Sequence, residues 1–235
     1  MVSIIIPTLN EAQYLPRLLS SIRDQDYKDY EVIVADAGST DGTREIARSC
    51  TVVQGGNPAR GRNEGACVAK GDYLLFLDAD VVLPKGFLSS LMQEVRDKNI
   101  GVAGCALVLD EQGVFFRLGE KLWNGYFWLT QHFYPHATNC FLVAKEVHER
   151  IQGFNERIHL GEEFDYVRRG ASVSAFAFLM NPAFIASARR VKKEGLLRTF
   201  FLYIVAEVAM TLGIKITSPK FPYHFHTYEK KDHLS

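Results

Sequence analysis

The first half of the chain alternates two patterns, and that alternation limits the folds open to it. Short apolar runs rich in valine and isoleucine, Val2 to Ile6, Glu31 to Ala35 and Tyr73 to Leu77, are separated by segments with helical periodicity. Those segments are Glu11 to Arg23, Gly42 to Arg48, Asn57 to Ala69 and Lys85 to Lys98. Strands that read as continuous apolar runs are buried on both faces, and intervening helices make successive strands parallel. The pattern therefore predicts an α/β protein with a mostly parallel sheet flanked by helices. Each predicted strand runs into a polar, turn-forming sequence, and open sheets of this kind take ligands beyond the carboxyl ends of their strands.

With 235 residues, 47% of them hydrophobic, the chain can bury one large core, or one core and a small appended unit. Lysine plus arginine equals aspartate plus glutamate at 27 each, which removes any global electrostatic reason to expect nucleic acid as a partner. Cys50, Cys67, Cys105 and Cys140 lie far apart, without zinc-site spacing or the density of a disulfide scaffold, and read as reduced core residues. The amino terminus, MVSIIIPTLNE, has no basic region before its apolar run. It reads as a buried strand, not a signal peptide, so the expected location is cytoplasmic.

Three strand ends carry the chemistry. "LLFLDADVVLP" delivers Asp78 and Asp80 to the end of one strand. Two carboxylates so spaced can hold Mn2+ or Mg2+ that also bridges the oxygens of a diphosphate; alternatively one caps the next helix and the other is solvated. "IIIPTLNEAQYLPRLLSSI" places Pro7, Thr8, Asn10 and Glu11 where a nucleotide base and ribose would lie. In "VIVADAGSTDGT", Asp36 could accept a hydrogen bond from base or ribose, whereas Ser39 and Asp41 suit a turn and a helix cap.

Taken in order, the Pro-x-x-Asn-Glu opening, the Asp-x-Gly-Ser-Thr-Asp-Gly-Thr turn, "GRNEG" and the Asp-x-Asp resemble glycosyltransferase family 2, from Val2 to about Arg190. The resemblance implies a GT-A fold and an inverting, divalent-metal-dependent transfer of sugar from a UDP- or GDP-linked donor to a lipid-linked or glycan acceptor. It places Pro7, Thr8, Glu11 and Asp36 at the nucleoside, Arg62 and Asn63 near the donor, and Asp80, helped by Asp78, at the metal. Ala37 stands where many members have a second aspartate, which leaves uracil against guanine open.

The acidic segment "GEEFDYVRRG" holds Glu162, Glu163 and Asp165. Displacement at the anomeric carbon by a hydroxyl needs a carboxylate to take the proton. Members carry an acidic pair here, usually Glu-Asp with the second as base, so the resemblance points to Glu163; a helix amino terminus also favours acids without any chemistry. Arg189 and Arg190 are similar to an arginine motif that reaches the donor diphosphate, Arg190 being the candidate, although Val191 replaces the tryptophan of many relatives. His224 and His226 could add a metal ligand.

Beyond residue 110 the chain changes character. Val114 to Tyr134 packs eight aromatic residues among Arg117, Glu120, Lys121 and Asn124, as a helix lying in a membrane interface does. Leu196 to Ile216 is apolar but interrupted by Arg198 and Glu207, so it reads as an amphipathic helix and not a span. With Arg189, Arg190, Lys192 and Lys193 before it, it suits an anionic lipid surface; packing on the sheet or a homodimer contact would satisfy the same surfaces. The expected organisation is a catalytic domain over 1–190 and a small helical C-terminal extension over 191–235, peripheral on the inner membrane face. A sugar-phosphate nucleotidyltransferase would need a glycine-rich, arginine-containing loop where "PTLNEAQ" stands, and a non-catalytic module would not need Asp78, Asp80 and Glu163 together.

Overall fold

The computed structural model describes residues 1–158, 161–189, 192 and 195. Its strands are β1 (Val2–Thr8), β2 (Tyr30–Asp36), β3 (Thr51–Gln54), β4 (Tyr73–Leu77), β5 (Val81–Val82), β6 (Val102–Leu109), β7 (Cys140–Ala144) and β8 (Phe176–Ala186). They form one sheet in the order β3-β2-β1-β4-β7-β6-β8-β5. Four of the seven pairings are parallel; β7 runs against both β4 and β6, and β5 against β8. The helices are α1 (Leu15–Arg23), α2 (Thr43–Ile46), α3 (Pro58–Val68), α4 (Phe87–Asp97), α5 (Val114–Thr130), α6 (Lys145–Arg150) and α7 (Glu162–Ala171).

Both faces of the sheet are covered, which explains why β1 stays apolar from Ile4 to Ile6 without alternation. Ile4 and Ile6 face Leu15, Leu18 and Ile22 of α1 and Leu88 and Leu91 of α4. Ile5 points the other way, toward Ala59 and Ala66 of α3 and Tyr166 and Val167 of α7. All three isoleucines are fully buried, each contributing roughly 1.5–3 kcal/mol relative to exposure.

The two glycines of "GRNEG" set how close α3 comes. A Cβ on Gly65 would lie 2.5 Å from Ile5 Cγ2, and one on Gly61 3.2 Å from Pro7 Cβ. Helix and strand therefore meet almost backbone to backbone, carrying Arg62 to the end of β4.

The first helix begins at Leu15, four residues later than the periodicity suggests. Backbone N–H groups of Asn10, Glu11 and Ala12 donate to Ser39 Oγ, Thr43 Oγ1 and Asp41 Oδ2 at 2.8, 2.9 and 2.9 Å. Those bonds hold residues 10–12 as a loop against the turn after β2, and Asn10 sits at φ 54°, a left-handed conformation that asparagine tolerates. The aromatic stretch is helical as α5. Its Phe127 is buried with Phe164 and Phe178, and Asn124 caps the edge of β6 by bonding both N–H and C=O of Leu107 at 3.1 and 2.7 Å. Among the described residues no helix is long and apolar enough to cross a membrane. Arg190, His224, His226 and the expected C-terminal helix fall outside the described residues, as does nearly all of 191–235.

Candidate active site

Strand register brings the three motif-bearing ends to one edge. Thr8 lies beside Asp36, and Ile5 beside Phe76, so Asp78 leaves the sheet level with the loop after β1. The antiparallel partner β7 sets Cys140 opposite Leu77, which puts Asn139 against Asp78. The Asp78 N–H donates to Asn139 O at 3.0 Å, and Asn139 Nδ2 donates to Asp78 Oδ2 at 2.6 Å. Arg62 holds the other oxygen, with Nη2 3.0 Å from Oδ1.

Arg62 is 4% exposed and its second terminal nitrogen donates to Glu162 Oε1 at 2.7 Å. The rings of Phe141 and Phe154 flank the guanidinium, their centroids 6.0 and 5.5 Å away. Burial works against the charge, but Glu162 and Asp78 outweigh it and hold the guanidinium firmly protonated. Glu163 is half-buried on the next position of α7. Desolvation first, and the neighbouring Glu162 charge second, raise its carboxyl well above the usual range, opposed by Arg62. A carboxylate of raised basicity at the start of a helix is a competent proton acceptor.

Asp80 belongs to a second arginine. Arg189 Nε lies 2.9 Å from Asp80 Oδ2, while its two terminal nitrogens each reach a different oxygen of Glu11 at 2.9 Å. The guanidinium also sits 4.3 Å from the centroid of the Tyr14 ring. One cation thus ties the end of β8 to the loop after β1 and to the Asp-x-Asp. Among the described residues no group of three or more His, Cys, Asp or Glu side chains is arranged to hold a metal ion. Hard cations that work on diphosphates need one or two protein carboxylates and take the rest of their oxygens from substrate and water. Here Asp78 has both oxygens engaged, by Arg62 and Asn139, and Asp80 has one paired with Arg189, so a cation at this pair would have to share or displace those partners.

The remaining sequence candidates divide. Pro7 and Thr8 close β1, and Asn10 and Glu11 stand in the loop that follows. Asp36 is fully buried: Oδ1 accepts from the N–H groups of Gly38 and Ser39 at 3.1 Å each, and Oδ2 from Ser39 Oγ at 2.5 Å and Thr8 Oγ1 at 3.3 Å. A bond from Asp36 to a base would require one of these to be exchanged. Asn63 faces away, bonding both N–H and C=O of Phe154 at 2.8 and 3.0 Å. Asp165 pairs with Arg169 at 2.8 Å, and that arginine also bonds the carbonyls of Ile151 and Gly153. Asn139 has no local motif, and Arg189 adjoins Arg190, the arginine that the resemblance favours; pairing of distant strands is what brings Asn139 and Arg189 to the site.

A family model described as Glycosyl transferase family 2 matches residues 3–155. The chain belongs to glycosyltransferase family 2. Similar members include "Glycosyltransferase GlyG" of Streptococcus pneumoniae serotype 4, 26% identical over 86% of this chain and 65% of the relative. The "GalNAc(5)-diNAcBac-PP-undecaprenol beta-1,3-glucosyltransferase" of Campylobacter jejuni is 34% identical over 46% of this chain and 39% of its own length. The family 2 chain thus spans about two thirds or less of these relatives. Two solved structures share its fold: S. aureus TarS 1-349 in complex with UDP-GlcNAc (TM-score 0.63, 20% identity, 79% of this chain and 58% of that one) and the mannosyltransferase PcManGT of Pyrobaculum calidifontis with GDP-Man and Mn2+ (TM-score 0.65, 22% identity, 86% and 64%). The expected GT-A architecture is the one this family 2 member adopts.

Proposed function

We propose that this protein transfers a sugar, with inversion, from a UDP- or GDP-linked donor to a lipid-linked or glycan acceptor. The observation that carries the reading is the meeting, at one sheet edge, of the Asp78–Asp80 pair, the end of β1 and its loop with Pro7, Thr8, Asn10 and Glu11, and the acidic start of α7. The loop, shaped from behind by Asp36, frames the nucleoside. Arg189 lies beside Asp80, where a guanidinium can bind the diphosphate as it departs. A divalent cation held by Asp80 with help from Asp78 would offset the negative charge that gathers on that leaving group.

Glu163 takes the proton from the acceptor hydroxyl as its oxygen bonds to the anomeric carbon. The bond to the diphosphate breaks on the opposite face, and its electron pair leaves with the diphosphate. A single displacement inverts the configuration. The Campylobacter relative, whose name specifies an undecaprenol-linked acceptor, supports a lipid-linked substrate. So does α5, which exposes Phe115, Leu118, Leu122, Trp128 and Leu129, followed by Phe133. We read it as a peripheral contact with the inner membrane face of the cytoplasm. A homodimer through the same face is the competing outcome.

Calorimetric titration with UDP and GDP, each with and without Mn2+, tests the donor site. One nucleotide should bind in a metal-dependent manner and Asp80→Ala should lose it; binding of neither would overturn the reading.

A further inference from the structure

We propose that Arg62 is a positioning residue, a clamp that fixes the acidic start of α7 to the Asp-x-Asp and so sets where Glu163 stands. The inference rests on Glu163 as the base. Three elements meet at one guanidinium: α3 supplies it, the end of β4 supplies Asp78, and the first residue of α7 supplies Glu162, one hundred residues away in sequence.

Several observations distinguish this role from donor binding. The side chain is 5% exposed, and both terminal nitrogens are committed to carboxylates. Turning the guanidinium outward to a diphosphate would break its bonds to Asp78 and to Glu162, itself only 5% exposed, leaving a buried carboxylate uncompensated. Phe141 and Phe154 wall the guanidinium, Asn139 pins the far oxygen of Asp78, and Gly61 and Gly65 fix α3 on β1.

The start of α7 also needs an anchor. Gly161, its N-cap in the left-handed conformation, supplies no side-chain capping bond. The last turn is held by Arg169 to Ile151 and Gly153 and the middle by buried Tyr166 and Val167. Phe164 packs the first turn on Ala106 and Phe178, and Glu162 is its polar link to the Asp-x-Asp through Arg62; Glu163 follows Glu162 directly. A clamp one residue from the base controls the base by geometry.

The test compares wild type, Arg62→Gln, Arg62→Lys, Glu162→Gln and Glu163→Gln in the full chain by three measurements. These are UDP and GDP affinity with Mn2+, amide exchange across residues 162–165, and nucleotide release from UDP-glucose, UDP-GlcNAc and GDP-mannose with water as acceptor. Positioning predicts nucleotide affinity within about twofold of wild type and faster exchange in the first turn of α7 for Arg62→Gln and Glu162→Gln. Release should fall about a hundredfold in kcat with KM little changed, and Arg62→Lys should recover part of it. If Arg62→Gln does not fold, Arg62→Lys decides on the same affinity and exchange readings. Nucleotide affinity down tenfold or more with exchange unchanged would make Arg62 a donor ligand and overturn the proposal. Release that survives in Glu163→Gln would sink the base assignment alone, because affinity and exchange still judge the clamp.

Discussion

Arg189 Nε lies 2.9 Å from Asp80 Oδ2, so the carboxylate expected to hold a divalent cation is already paired with a guanidinium. Two cations that seek one oxygen oppose each other, and the opposition is strong where burial limits screening. Arg189→Gln should therefore bind Mn2+ more tightly in the absence of nucleotide, by about tenfold, or about 1.4 kcal/mol. Sugar-nucleotide turnover should nevertheless slow, because no guanidinium meets the departing diphosphate. Titration of Mn2+ followed by its paramagnetic resonance checks the first half; equal affinity in the two proteins would mean that Arg189 and the metal do not compete.

Glu163 yields a prediction with a definite sign. Burial and Glu162 raise its carboxyl well above the ordinary range, and the protonated acid cannot accept the acceptor's proton. Turnover should fall as pH drops through that raised value, in a range where an ordinary glutamate is still fully ionised. For stability, the folded chain binds a proton there that the unfolded chain has lost, so stability declines as pH rises through the window between the ordinary and raised values. Glu163→Gln removes the penalty. It should lower turnover by about 10²–10⁴ while melting higher than wild type near neutral pH and together with it in acid. In a domain of this size each ~1 kcal/mol moves Tm by about 2–4 °C, which thermal scans at two pH values resolve.

How much of this was open to sequence reasoning depended on whether the signal was local. β1, β2 and β4 announce themselves because both their faces are buried, and the Asp-x-Asp because its strand leads straight into it. β3 and the two-residue β5 carry too little pattern to stand out; β6, Val102–Leu109, contains glycine and alanine where a strand signal would want branched residues. α1 starts later than its periodicity suggests because Ser39, Asp41 and Thr43, 29 to 32 residues away, take the N–H groups of Asn10, Ala12 and Glu11. Asn139 and the Arg62–Glu162 link arise from strand pairing and helix packing, which no spacing encodes. Asn63 and Asp165 carried the right residue types for a site, yet their hydrogen bonds run to the 151–154 segment and to Arg169.

Gly65 offers a test of the fold with no part in the chemistry. Its missing Cβ would meet Ile5 Cγ2 at 2.5 Å, and Ile5 is fully buried in β1 between α3 and the strands beside it. Gly65→Ala gains about 1 kcal/mol of helix propensity but must displace α3 or twist Ile5, at a cost of about 1–3 kcal/mol. The expected result is a lower denaturant midpoint, partly restored by Ile5→Val. A more stable Gly65→Ala protein would show that α3 is free to slide on the sheet.

The outer face of α5 decides whether the acceptor comes from a membrane. Val114 and Phe115 are each 80% exposed and Phe133 is 90%, a density of large apolar surface that monomeric proteins rarely leave uncovered. Glu120 turns inward to accept from the Leu109 N–H at 2.7 Å, so Arg117 and Lys121 are the charges that this helix presents outward. A face that is aromatic and cationic suits anionic lipid, where each basic residue adds about 1 kcal/mol and each inserted phenylalanine or leucine about 1.5–3 kcal/mol. The double variant Phe115→Asp with Leu122→Asp should bind phosphatidylglycerol vesicles more than tenfold less well in flotation assays, with nucleotide affinity unchanged. Salt should weaken the wild-type binding through Arg117 and Lys121 without abolishing it. If the wild type ignores vesicles and sediments as a dimer that the double variant splits, the face belongs to a second copy of the chain, and acceptor delivery must run through another surface.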